Sequence, residues 1–164
     1  MSAVAHPTFA LRPFLLADTP LLAEIFRASI EELTADDYSE SQQEAWASAA
    51  EDEEELARRL SGQLTLVATL NGSAIGFASL ANNETVDLIY VHPAAAGQGA
   101  GTMLVDALEK LALARGAKRL TADVSDSAQD FFAKRGFEPK QRNTVQRAGE
   151  WLANTTMEKK LGAA

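Results

Sequence analysis

A glycine-rich run, Gly97-Gln98-Gly99-Ala100-Gly101-Thr102, stands directly before a long segment with an apolar stripe, and that juxtaposition suits one kind of chemistry. Glycines let a backbone come close to a ligand, and the first-turn amides of a helix have no partner inside it. Together with the positive end of the helix dipole they form a place for phosphate. A tight strand-to-helix turn accounts for the same glycines, so the run alone leaves both readings open. Spacing excludes two phosphate motifs. A P-loop needs GxxxxGK[ST], whereas Gly97 is followed five positions on by Thr102 with no lysine; a dinucleotide fingerprint needs GxGxxG, and Gly97 to Gly101 reads GxGxG.

Other elements must hold that loop. In the helix it opens, Leu104, Ala107, Leu108 and Leu111 form the stripe, and Gly116 suits the C-terminal stop. Ahead of it, Thr85 to Val91 (TVDLIYV) has the residue types of a strand closed by His92-Pro93. Leu64–Leu70 and Ala74–Leu80 flank Asn71-Gly72 and predict an antiparallel hairpin. Phe9–Phe14 gives a first short strand. A helix then runs to about Leu33, with Asp18 as N-cap, Pro20 in the first turn, and Leu21, Leu22, Ile25 and Phe26 on one face. Thr34 to Ala50 is polar, with Ser39 capping a helical SQQEAWA. The run Glu51 to Glu55, ending in Arg58-Arg59, complements a helix dipole; an acidic rim for a cationic amine is the functional alternative. A strand at Leu120–Val124, a short helix at Ala128–Arg135 and strands near Phe137–Val145 and Trp151–Lys159 complete the chain. The order predicts one α/β (α+β) domain over residues 1–164, with a largely antiparallel central sheet flanked by helices.

Composition removes several function classes. The 164 residues carry a formal net charge of −8, 46% are hydrophobic and none is cysteine, which excludes disulfide scaffolds, Cys-ligated zinc and thiol nucleophiles. His6 and His92 are too far apart for a helical metal pair, so no metal is expected. The acidic balance argues against nucleic acid as a partner. No apolar stretch approaches the ~20 residues of a membrane helix, and Met1 to His6 has neither the basic nor the apolar part of a signal peptide. The expectation is a cytoplasmic domain without a membrane; a homodimer is compatible with it.

The sequence resembles the GNAT superfamily of acyl-CoA-dependent N-acetyltransferases. The resemblance lies in the strand end Leu88-Ile89-Tyr90-Val91-His92-Pro93, the loop Ala96 to Gly101, and a second segment, Ala128-Gln129-Asp130-Phe131-Phe132-Ala133-Lys134-Arg135-Gly136-Phe137, similar to the family's AxxFYxxxGF. The order of elements agrees over nearly the whole chain. Three positions depart from the pattern. Ala96 stands where the family usually has Gln or Arg, Ser125 where Asn is frequent, and Phe132 where many members carry a Tyr that protonates the leaving thiolate. Phenylalanine cannot donate that proton.

The resemblance implies acetyl-CoA as co-substrate, held in a V-shaped gap between the strands Thr85–Val91 and Leu120–Val124. Ile89, Tyr90 and Val91 would line its pantetheine arm, with a backbone N–H near Ile89 polarising the thioester carbonyl. Gly97, Gln98, Gly99, Ala100, Gly101 and Thr102 would hold its phosphates, and Ser125, Phe131 and Phe132 would pack beside it. An amine acceptor is mostly protonated at neutral pH, so a base must free it. Glu84 and Asp87 are the candidates; on a regular strand they face opposite sides, so at most one enters the cleft. Asp87 paired with a basic residue, and Glu84 as a solvated turn residue, are the structural alternatives. Tyr38, Trp46 and Trp151 are candidate acceptor-facing aromatics. The expected function is acetyl transfer from acetyl-CoA to a primary amine of a small molecule or peptide by direct attack. A non-catalytic acyl-CoA-binding module or sensor is the alternative that Phe132 and Ala96 favour.

Overall fold

The computed structural model describes residues 8–162, so His6 lies outside the described residues. Seven strands form one sheet: β1 (Phe9–Pro13), β2 (Leu64–Leu70), β3 (Ser73–Ala81), β4 (Thr85–Val91), β5 (Arg119–Ser125), β6 (Glu138–Arg147) and β7 (Glu150–Lys160). Their order across the sheet is β1-β2-β3-β4-β5-β7-β6. Every neighbouring pair is antiparallel except β4 and β5. Asn71 and Gly72 both have positive φ, 52° and 87°, which the two-residue turn between β2 and β3 requires to match strand twist.

Helices α1 (Thr19–Leu33), α2 (Glu40–Ala47) and α3 (Glu53–Ser61) cover one face of the sheet, and α4 (Ala100–Ala114) and α5 (Gln129–Ala133) the other. Each face has its own core. Leu22, Ile25, Phe26 and Ile30 of α1 bury against Val67, Phe77 and Leu88. Leu104, Val105 and Leu108 of α4 bury against Ala78, Leu80, Val86 and Leu120, with Phe132 and Phe137 beside them. A side chain of this size contributes about 1.5–3 kcal/mol on full burial. The stripe of α4 is rotated from the expected one: Val105 and Ala112 are buried, while Ala107 and Leu111 are half-buried.

Two local expectations resolve differently. Asp18 does not cap α1; its carboxylate accepts from both terminal nitrogens of Arg12, at 2.7 and 2.8 Å, and from the Leu15 amide at 2.8 Å, tying β1 to the following turn. The acidic run is structural. Asp52 caps α3 by accepting the Glu55 amide at 3.0 Å, with Glu53 to Glu55 in the first turn and Arg58 and Arg59 in the last.

Pairing between β4 and β5 lasts for two residue pairs, Thr85 with Thr121 and Val86 with Ala122. Beyond them the strands part, and the cleft of interest opens there.

Candidate active site

The cleft begins with a break in strand register. On β3, Ser79 and Leu80 are consecutive, but their partners on β4 are Leu88 and Val86, so Asp87 is an extra, unpaired residue. Such a bulge re-aims side chains. Val86 packs in the α4-side core and Leu88 in the α1-side core, with Asp87 between them facing the opening. A regular strand would have placed Asp87 with Ile89 and Val91.

Past the bulge the backbone alternates regularly. The His92 amide donates to the Ile75 carbonyl at 2.7 Å, which fixes the phase of the ladder. The Tyr90 amide therefore turns toward β3, and the Ile89 and Val91 amides turn toward the gap that β5 has left. Two amide donors thus face an opening lined by both strands.

That opening has two chambers. One, mostly apolar and of about 270 Å³, runs through the gap and is lined by Val91, Ala128, Phe131 and Phe132 toward α4 and α5 and by Ile30 and Leu33 of α1, among others. On the α1 side is a polar one of about 260 Å³ whose walls include Arg59, Leu88, Arg147 and Asn154. Trp46, Asp87, Tyr90, Asp123 and Ser125 line both, so the chambers meet at these five residues. The Asp87 carboxylate is held on both oxygens: Arg59 donates twice, at 2.7 and 2.9 Å, and Gln63 Nε2 donates at 2.8 Å. Burial alone would push this carboxyl up, but the hydrogen bonds from Arg59 and Gln63, with the Arg59 charge, outweigh it and hold it below the usual carboxylate range.

A third depression lies at the start of α4. His92 Nδ1 accepts the Ala94 amide at 3.1 Å, closing a turn over Pro93–Ala95, and the chain then passes through Gly97 and Gly99 at φ 77° and 94°. Both conformations favour glycine. The first hydrogen bond of the helix runs from the Met103 amide to the Gly99 carbonyl, so the amides of Ala100, Gly101 and Thr102 stay available. A Cβ on Gly101 would stand 3.1 Å from the Phe131 ring, which explains a glycine there. Arg135 closes the depression. Its guanidinium lies 3.9 Å from the Phe131 ring centroid and donates to the Thr102 hydroxyl and the Phe131 carbonyl, and its buried Nε has no partner among the described residues.

The expected site residues divide accordingly. Ile89, Val91, Ser125, Phe131 and Phe132 line the apolar chamber; Gly97, Gly99, Ala100, Gly101 and Thr102 line the depression at α4. Gln98 is exposed on the same loop, its side chain 3.5 Å from the Ala94 carbonyl. Tyr90 also lines the apolar chamber, but through its side chain, which leans to the α1 face against Phe26, while its amide serves β3. Glu84 sits apart from the cleft, in the turn before β4 at the closed end of the V, where its carbonyl accepts the Thr121 amide, and it lines neither chamber. Trp46 does face the cleft, donating to the Tyr90 hydroxyl at 3.0 Å. Tyr38 reaches the polar chamber, but its hydroxyl is already spent. It donates to the Ala153 carbonyl at 2.6 Å and accepts the Asp126 amide at 2.9 Å, pinning the loop after β5 to β7. Trp151 is 59% exposed and outside the cleft; Leu152 turns inward in its place. Arg59, Gln63, Asp123, Arg135 and Arg147 escaped the sequence reading. Only Arg135 had a local signal, one helical turn after Phe131 in the second motif.

Among the described residues no group of three acidic, His or Cys side chains could hold a metal ion, and no helix is long and apolar enough to cross a membrane. Residues 34–161 match the family model described as an acetyltransferase (GNAT) domain. A protein of Escherichia coli (strain K12), the uncharacterized N-acetyltransferase YafP, is 28% identical over 147 residues, spanning 90% of this chain and 93% of that one. The crystal structure of a GCN5-related N-acetyltransferase from Rhodopseudomonas palustris, described as aminotransferase, class-II, is 62% identical with a TM-score of 0.92, covering 98% of this chain and 99% of that chain. A phosphinothricin acetyltransferase of the GNAT superfamily from Sinorhizobium meliloti, in complex with acetyl-CoA, is 26% identical with a TM-score of 0.70, covering 94% and 89%.

Proposed function

The chain belongs to the GNAT family of acetyltransferases, and on that premise we propose that acetyl-CoA occupies the apolar chamber, an amine the polar one, and that acetyl passes directly between them. It is an acyl-CoA-dependent N-acetyltransferase. The observation that carries the assignment of chambers is the pair of Ile89 and Val91 amides facing the gap, because an extended pantetheine arm can pair with them as a missing strand would. The phosphates then fall to the free amides of Ala100, Gly101 and Thr102 at the helix start. Arg135 supplies a guanidinium beside them, a charge that Ala96 does not provide.

The Ile89 N–H polarises the thioester carbonyl and holds the negative oxygen that forms on attack. Asp87 faces the acceptor. A carboxylate held below its usual range is a weak proton acceptor, so its part is to hold the acceptor nitrogen in line while the proton passes to water. The polar chamber is lined by two arginines, Arg59 and Arg147, and two aspartates, Asp87 and Asp123, so it does not share the acidic excess of the whole chain. The same reading puts the enzyme in the cytoplasm, the compartment that holds acetyl-CoA. Thiol release from acetyl-CoA, measured against a panel of primary amines, tests the function. Amine-dependent release with an acetylated product by mass spectrometry is expected. Calorimetric binding of acetyl-CoA without release under any amine would instead make the protein an acyl-CoA-binding module.

A further inference from the structure

We propose that the Tyr90 hydroxyl donates the hydrogen bond under which the sulfur of the acyl donor departs, making Tyr90 a catalytic residue of this cleft. The inference rests on the acetyltransfer reading above. It starts from a proton with no destination. Trp46 Nε1 donates to the Tyr90 oxygen at 3.0 Å, occupying one lone pair, while no acceptor among the described residues takes the hydroxyl's own proton. The ring packs against Phe26 and Phe77, with centroids 4.3 and 5.8 Å away, and the residue is partly buried where it borders both chambers. A hydroxyl that borders both chambers with its proton uncommitted can donate to whatever binds there. The bond accepted from the indole also polarises the O–H and strengthens it as a donor.

Position supplies the second half. Tyr90 lines both chambers, and it follows Ile89, whose amide faces the gap. A sulfur leaving the carbonyl beside Ile89 departs among Ile89, Val91, Ala128, Phe131 and Phe132, whose side chains give a thiolate no hydrogen bond. Phe132 has none to offer.

The step balances without further reactants. The amine nitrogen attacks the thioester carbon, the N–C bond forms and the C–S bond breaks. The surplus proton on nitrogen passes to water, and the sulfur leaves as a thiolate bonded to the Tyr90 O–H, then takes a proton from water. Tyr90 keeps its own proton. Burial pushes its pKa up to about 12, with the Trp46 hydrogen bond opposing, whereas an ordinary thiol titrates near about 8.5. The O–H is therefore present across the working pH range. Ser125, which also lines both chambers, accepts the Ala128 amide at 3.2 Å and is the other hydroxyl at this junction.

The test uses the full chain as Tyr90→Phe, Phe132→Tyr and the double variant, with kcat measured at saturating acetyl-CoA and amine. Tyr90→Phe is expected to lower kcat about 10- to 100-fold by the same factor from about pH 6 to 9, with the calorimetric Kd for acetyl-CoA and the amine KM unchanged. Phe132→Tyr returns a hydroxyl to the same chamber from α5, and in the double variant it is expected to restore most of the loss. A wild-type kcat in Tyr90→Phe overturns the proposal. A loss confined to KM, or one the double variant does not recover, overturns it as well, because packing rather than the O–H is then at stake. Failure of the acetyltransfer reading looks different, since the wild-type protein then releases no thiol with any amine.

Discussion

Replacing Asp87 with asparagine separates holding an amine from deprotonating it. A primary amine with a pKa near about 10.4 is free in only roughly one molecule in 2,500 at pH 7. A protein base would relieve that scarcity; a carboxylate that only holds the nitrogen would not. Both Asp87 oxygens are engaged by Arg59 and Gln63, and the side chain is 23% exposed, so a bound amine gains one further charge-assisted hydrogen bond in a half-buried setting. Such a bond contributes about 1.5–3 kcal/mol, and solvent access favours the lower half of that range. Asp87→Asn should therefore raise the amine KM about ten- to fiftyfold, change kcat by less than about threefold, and leave the rise of kcat/KM with pH in place. Stability reports the same pair. Arg59 loses one of its two acceptors, and with its side chain 40% exposed the cost is about 1–2 kcal/mol, or about 2–8 °C in Tm for a chain of this size. The Asp87 carboxyl lies below its unfolded value, so its contribution is complete above about pH 4 and is lost as pH falls through the lower folded value. The Tm gap between wild type and Asp87→Asn should close in acid. Initial rates of thiol release across pH, with thermal melts, make both measurements. A kcat lower by about 10²–10⁴ near neutral pH, recovering as pH rises, would refute the holding role and make Asp87 the base.

Three other outcomes follow from the site. Gly99→Val, at φ 94° and against the space proposed for phosphate, should weaken acetyl-CoA binding at least about tenfold in calorimetry. Arg135→Gln should raise the Kd for acetyl-CoA several-fold and flatten its salt dependence, while an unchanged salt dependence would remove Arg135 from the phosphates. Phe132→Leu, which breaks edge contacts to Phe131 and Phe137 at 5.4 and 5.1 Å, should cost about 1–2 kcal/mol in denaturant unfolding yet lower kcat only mildly.

The parts legible in the sequence were those whose signals are local. Asn71-Gly72 announced the hairpin because its backbone needs two positive φ angles, and the glycines before α4 announced a ligand loop because free amides and small residues occur together there. Strand-forming residue types also marked Thr85 to Val91, but they could not show that β4 has one residue more than β3 opposite Ser79 and Leu80. That single insertion decides where Asp87 points. Long-range partners were equally hidden: Arg59 lies 28 residues before Asp87, and nothing near either residue marks the pairing. The aromatics misled for a related reason. Tyr38 looks free in sequence, yet it is consumed by Ala153 and Asp126, and Trp151 alternates outward because Leu152 takes the inward position.

Amide hydrogen exchange on β4, with and without acetyl-CoA, tests the central claim most directly. If the donor's arm fills the gap beside β4, the Ile89 and Val91 amides acquire partners on binding and their exchange slows at least about tenfold. The Tyr90 and His92 amides, already turned toward β3, should change little. Saturating acetyl-CoA that leaves Ile89 and Val91 exchanging as in the free protein would contradict the account, because the donor would then lie somewhere other than the gap between β4 and β5.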